Sequence, residues 1–508
     1  MAPVRRLPVV ALLFVLTVAL MLLAECGGSS QPDPAPPSPT FATSSLSANN
    51  LNLIFVVTED VSYQEYGDVN LKTGNLTNRG LDRALKMATF LQQKVLGGVN
   101  ASGIYALIPM THLQTAGHYP DMNGLLTVEQ FAMLNATALS YPTFLPATAS
   151  SYPVNISYSP APLPVDVHTP LLDCPAIGSG AAYRCQGVDY RDLDGDNETL
   201  VEALIGTNMS GFYVFSAPWD TVTSLMANIS RHMNYGLTLP SNYLSPNYIY
   251  AISIAPSGSA SFSTYNSGVT PSYTYPSLPA GAIVSSECLP VLKDTTFHIT
   301  VTGGSGSAIV PAGINTNETI YFVRHAEAHP TPWWEDGNYY GKGQWRALDL
   351  PKALYGKIHP DLVYSIDPAQ VLPGAESANG NFYSYVRTTT TVLPYAIANS
   401  LPYNLAASFE MMAQNPPALA TEAANFFFFG GQFSNHSLLV GWEHDHLAPT
   451  VNALLASYHG GQSVPAWPDD DYDTVWTVKL DAHGNVNVDN LTCEGINSSA
   501  LPDTPPQF

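Results

Sequence analysis

The chain has 508 residues and a formal net charge of −22, with 45% hydrophobic and only 11% charged residues. Its length and apolar content suit two domains, each with a core of its own, and exclude a disordered chain. The acidic balance excludes nucleic acid as a general partner, because phosphate backbones need a basic surface. It leaves room for a small phosphorylated substrate held by a few local arginines.

In chain order the first element is a targeting segment. Arg5 and Arg6 precede an apolar run at 9–24, too short and wrongly flanked for a membrane span. The run ends in "LLAECGGSS", the small-residue and cysteine pattern of a lipoprotein-type export signal over 1–26, although Glu25 stands where a small residue is usual. A lipid anchor on Cys26 is therefore expected, as the one membrane contact, with a simply cleaved signal peptide as the alternative. Both place the mature chain outside the cytoplasm, in the periplasm, at the cell surface or secreted. Residues 27–48 then form a Pro/Ser-rich tether without a hydrophobic pattern. Of the five cysteines, setting Cys26 aside leaves Cys174 and Cys185 for a short loop closure and Cys288 with Cys493 for a long one. Export is compatible with such bridges.

The folded part contains an internal repeat. "NLIFVVTED" (52–60) resembles "TIYFVRHAE" (319–327), and "RGLDRAL" (79–85) resembles "KGQWRAL" (342–348). "IYALIPMTHLQTA" (104–116) parallels "FYSYVRTTTTV" (382–392), and "FYVFSAPWDTVTSLMANI" (212–229) parallels "LLVGWEHDHLAPTVNALL" (438–455). "YIYAISIAPSGSASF" (248–262) parallels "DTVWTVKLDAHGNVNV" (473–488). Five landmarks in one order predict two copies of a domain over 49–305 and 315–508, joined through "TGGSGSAIVPAG". Strands alternate with helices in each, the pattern of a three-layer α/β fold.

On this matching, Arg324 and His325 stand opposite Val57 and Thr58, Arg387 opposite Thr111, and His444 opposite Pro218. The first copy keeps the scaffold pattern without the charged positions. In the second, an arginine and a histidine sit at the C-terminal end of a strand, where α/β folds gather ligands. Histidine can serve as a nucleophile, and arginine grips phosphate oxygens in a bidentate fork. Arg387 falls between an apparent strand, "NFYSYV", and a helix start, where backbone amides also meet anions. His444 follows the strand "SLLVGW" and adds a donor.

"FVRHAE", "VRTTTTV" and "LLVGWEHDHL" together resemble the motifs of the histidine phosphatase superfamily, the phosphoglycerate mutase-like fold. The resemblance covers about 316–508 with motifs and about 50–300 as scaffold. Ala326 replaces the commoner glycine after the histidine. The resemblance implies two mutase-like α/β/α domains in tandem, and phosphomonoester hydrolysis through a phosphohistidine on His325. Arg324, Arg387 and His444 would hold the phosphoryl oxygens. A carboxylic acid must protonate the leaving oxygen. Glu410, in "SFEMMAQ", sits where the mutase-like branch places its acid. Asp445 is the rival, since it forms a His-Asp pair with His444 like that of the acid phosphatase branch. Neither metal nor cofactor is implied.

Other features carry less. "EHDH" (443–446) holds alternating histidines able to ligate zinc, but lacks a partner at ligand spacing, so no metal is expected. "DLDGDNE" (192–198) lacks the sixth-position glycine and the twelfth-place glutamate of a calcium loop. It reads as an acidic turn before a helix. Trp333 and Trp334 line an entrance or pack a long loop. Substrate choice is expected in the segments 328–341 and 400–435. The competing class is a non-catalytic surface or binding protein that retains the fold.

Overall fold

The computed structural model describes residues 46–107, 119–138, 151–153, 197–278, 296–328, 337–368, 385–406 and 416–508, with the single positions 109, 114, 117 and 288. Cys26, Glu410, Cys174, Cys185, Trp333 and Trp334 lie outside these. Residues 41–508 form one compact unit.

The strands are β1 (Leu51–Thr58), β2 (Gly103–Ala106), β3 (Ala136–Ala138), β4 (Ser151–Pro153), β5 (Gly211–Pro218), β6 (Tyr248–Ile254) and β7 (Ala260–Asn266). They continue as β8 (His298–Val301), β9 (Glu318–Arg324), β10 (Leu362–Ile366), β11 (Tyr403–Ala406), β12 (Ser437–Trp442), β13 (Thr474–Leu480) and β14 (Val486–Cys493). The helices are α1 (Asn78–Phe90), α2 (Asn123–Leu134), α3 (Asn197–Gly206), α4 (Trp219–His232), α5 (Gly341–Ala353), α6 (Arg387–Ala398), α7 (Pro416–Phe428) and α8 (His444–Ser457).

Among the described residues these form two mixed sheets, with β3 and β4 as a separate pair. The first runs β2-β5-β1-β6-β7 and the second β11-β10-β12-β9-β13-β14-β8. β1 is apolar from Leu53 to Val57 and buried at every residue, as a strand covered on both faces must be. It pairs parallel with β5 and antiparallel with β6. β9 likewise pairs parallel with β12 and antiparallel with β13. The order and directions of β2-β5-β1-β6-β7 therefore recur in β10-β12-β9-β13-β14. The second sheet adds β11 at one edge, and β8, from before the glycine-rich joint, at the other.

The shared order corrects three sequence matches. β2 takes the place of β10, not of residues 382–386; Tyr385 and Val386 are outside any strand, and 381–384 lie outside the described residues. Val56 pairs with Ser216, as Val323 pairs with Gly441. Ser216 Oγ donates to Gly124 O over 2.8 Å, while a Cβ on Gly441 would lie 2.8 Å from Thr388 O. Gly124 and Thr388 are the second residues of α2 and α6, so Arg387 stands where Asn123 does; Thr111 lies outside the described residues. The same register puts His444 opposite Trp219, the first residue of α4, not Pro218. The apolar-to-polar transitions of the two halves are alike in sequence, while the chain between strand and helix differs in length.

One buried apolar cluster runs through both halves, joining Leu85, Leu125 and Phe131 to Leu350, Leu393 and Ile397. Gln344 Nε2 donates to Gln130 Oε1 over 2.7 Å, Tyr275 Oη to Leu348 O over 2.9 Å, and Asn75 Nδ2 to Leu401 O over 3.1 Å. The first half thus braces α5 and α6. A disulfide joins Cys288 to Cys493 at the end of β14.

Candidate active site

β9 delivers Arg324 as its last residue and His325 immediately beyond, at the centre of the second sheet. His325 N still donates to Trp442 O over 3.0 Å, so the ladder to β12 continues one step past the strand. Beside it, α6 starts at Arg387. Thr391, one turn later, receives the Ala326 N–H at 2.8 Å and donates to Arg387 O at 2.6 Å. Thr389 donates to Ile366 O at the end of β10 over 3.1 Å. The threonine run thus ties the start of α6 to two strand ends.

β12 leads through Glu443 into α8. Glu443 has extended backbone, and its carboxylate accepts from Asp445 N at 2.7 Å and His446 N at 3.3 Å. It is the N-cap, satisfying amides that the helix cannot and placing negative charge at the positive end of its dipole. His444 is the first helical residue. Its Nδ1 pairs with Glu443 Oε1, and its Nε2 lies 3.6 Å from Asp445 Oδ1 and 3.7 Å from Asp469 Oδ1.

His325 is 1% exposed. Its Nδ1 lies 2.8 Å from Ala326 O, and donation there leaves Nε2 as the bare nitrogen. Nε2 is buried, has no hydrogen-bond partner, and sits 4.0 Å from Glu443 Oε1. The rings of Tyr385, Tyr472 and His444 stand edge-on around it, with centroids 6.2, 6.2 and 6.1 Å away. Burial, then the positive charges of Arg387 and Arg324, and a smaller effect of His444, hold the imidazole well below its ordinary range. It is therefore neutral at physiological pH, the form a nucleophile needs.

Arg324 lies over the Tyr472 ring at 4.0 Å, and its guanidinium donates to the carbonyls of Asp469, Asp471 and Pro468. Arg387 lies over Tyr385 at 4.5 Å. Burial of Glu443 opposes its ionisation. The hydrogen bond and charge of His444, with His446 and Arg387 beyond, outweigh that and hold its carboxyl below the usual range.

The structure thus brings Arg324, His325, Arg387 and His444 together. Asp445 is at the rim, its side chain 76% exposed. Glu410 falls outside the described residues. Glu443 was missed as a site residue: its signal was its place as the first polar residue between a strand and a helix. Also missed was Arg346, fully buried in α5. It grips both Glu327 oxygens at 3.0 Å, two residues beyond His325, and also donates to Glu494, Ile496 O and Ser498 Oγ. Its counterpart in the sequence repeat is Arg83, which pairs with Asp68 at 2.5 Å and Glu59 at 3.4 Å.

The corresponding end of the first sheet holds Val57, Thr58, Asn123 and Trp219. Asn123 Nδ2 donates to Glu59 O and Gly74 O there. Two groups of possible metal ligands occur among the described residues, His325–Glu443–His444 and His444–Asp445–Asp469.

No protein-family model and no curated protein matches the chain. Among solved structures it is similar to a candidate phosphohistidine phosphatase SixA from Agrobacterium tumefaciens, with TM-score 0.20 and 16% identity over 32% of this chain and 92% of that one. It is also similar to a SixA candidate from Nakamurella multipartitia, with TM-score 0.19 and 15% identity over 39% of this chain and 96% of that one. These weak likenesses cover about a third of this chain.

Proposed function

We propose that the chain is a phosphomonoester hydrolase of the histidine phosphatase type, acting through a phosphohistidine on His325. One observation carries the reading: a neutral, buried imidazole with its Nδ1 tied to Ala326 O presents a bare Nε2 between two arginines and a second histidine. Nε2 bonds to phosphorus as the ester oxygen leaves with a proton from a carboxylic acid. Water then attacks phosphorus, its proton passes to the same carboxylate, and orthophosphate departs with Nε2 restored. Arg324 and Arg387 stabilise the equatorial oxygens, with His444 as a further donor. The acid is Glu410 or Asp445.

In this reading the protein is exported, anchored at Cys26 or secreted, and arose by duplication, with an inactive copy before about 305 bracing the active one. The repeated strand order supports the duplication, and Val57, Thr58, Asn123 and Trp219 at the matching sheet end support the inactivity. Hydrolysis of p-nitrophenyl phosphate, abolished in His325→Ala, tests the activity. The second reading, a binding protein that keeps the fold, is favoured by the engagement of Arg324 with the carbonyls of 468–471. It predicts phosphate binding without turnover.

A further inference from the structure

The "EHDH" run lacked a third ligand in the sequence; the fold supplies one in His325. We propose that His325 Nε2, Glu443 and His444 form a site for a divalent transition metal of the Zn2+ class, which competes with the phosphoryl group for the nucleophilic nitrogen. The competition rests on the phosphatase reading; the metal site does not.

The donor set suits such an ion. One donor atom from each of the three side chains lies within 4.8 Å of the others. Two imidazoles and one carboxylate are a recurrent zinc set that leaves a fourth position open. Zinc–ligand bonds of about 2.1 Å place tetrahedral donors about 3.4 Å apart. The 4.0 Å between His325 Nε2 and Glu443 Oε1 therefore closes by about half an ångström on binding. Two further observations point into the cluster. His325 Nε2 is buried and has no hydrogen-bond partner. His325 Nδ1 meets a backbone carbonyl at 2.8 Å, the outer contact that fixes the tautomer of a metal-bound histidine.

His444 Nδ1 and Glu443 Oε1 already face each other and move apart to admit the ion, which binds the unprotonated imidazole nitrogen. The guanidiniums of Arg324 and Arg387 oppose a bare dication. The Glu443 carboxylate, with a chloride or hydroxide in the open fourth position, offsets them. A metal on Nε2 occupies the lone pair that attacks phosphorus, and turnover stops while it is bound.

The test uses the full chain stripped with a chelator, titrated with zinc chloride and then studied by X-ray absorption at the zinc edge. One equivalent is expected, with two imidazoles in its first shell, at least tenfold weaker in Glu443→Gln and lost in His325→Ala. Absence of a stoichiometric equivalent, a shell without imidazole, or affinity unchanged in both variants overturns the site. The wild-type spectrum decides the matter if either variant fails to fold. In an active preparation, zinc raises the KM for p-nitrophenyl phosphate at constant kcat; a fall in kcat alone overturns the competition. A protein that binds zinc through both histidines but hydrolyses no phosphoester refutes the phosphatase reading and leaves the metal site standing.

Discussion

Ala326 N donates to Thr391 Oγ1 over 2.8 Å, so the residue after His325 is fastened to the helix that carries Arg387. Thr391→Val keeps the shape but strands a buried amide. It should lower stability by about 1–3 kcal/mol. It should also cut kcat/KM about 10- to 100-fold by loosening His325 against Arg387. Thermal melts and steady-state rates check both; a stable variant with full activity breaks the proposed coupling.

Arg387 is, after burial, the main cause of the low basicity of His325. Activity needs the neutral imidazole, so the acidic limb of kcat/KM should lie below the ordinary histidine value of about 6.5. Arg387→Met removes a positive neighbour, makes protonation easier and moves that limb to higher pH, with an overall loss of about 100-fold or more. A pH–rate profile with an unmoved limb contradicts the electrostatic account.

The two candidate acids separate by leaving group. Loss of the true acid should damage an alkyl phosphate far more than p-nitrophenyl phosphate, whose leaving oxygen needs little protonation. Glu410→Gln and Asp445→Asn, compared on both substrates, assign the role. Equal loss on the two substrates in either variant rules that residue out.

Glu318 opens β9 and is buried, with Asn315 donating to it at 3.2 Å and opposing the shift. Burial pushes its carboxyl up to about 9, from 4.5. The folded value exceeds the unfolded one, so this contribution to stability is full below about 4.5 and is lost as pH rises towards 9. Wild-type melting temperature should fall from pH 5 to 8, and Glu318→Gln should flatten that fall. An unchanged slope shows that Glu318 is not its source.

The placement of most candidate site residues was legible because strand ends and helix starts leave sequence marks. An apolar run stopping at Arg324-His325 and a threonine run after Arg387 located two corners, and His444 after "SLLVGW" located the third. Registers were less legible. Arg387 lines up with Thr111 in sequence because similar apolar-to-polar transitions occur in both halves, whereas Asn123 holds that place in the fold. Glu443 was hidden because glutamate is not a usual N-cap and its partner His325 is far away in sequence. Arg346 was visible only as a repeated letter; its partners Glu327 and Glu494 come together through the sheet alone.

The most direct measurement is acid-free trapping of the intermediate, followed by mass spectrometry of the peptide that contains His325. The account predicts a phosphorus–nitrogen adduct on His325 during turnover of a phosphomonoester, absent from His325→Ala together with the activity. Turnover that survives His325→Ala, or no adduct and no hydrolysis across a panel of phosphoesters, contradicts it.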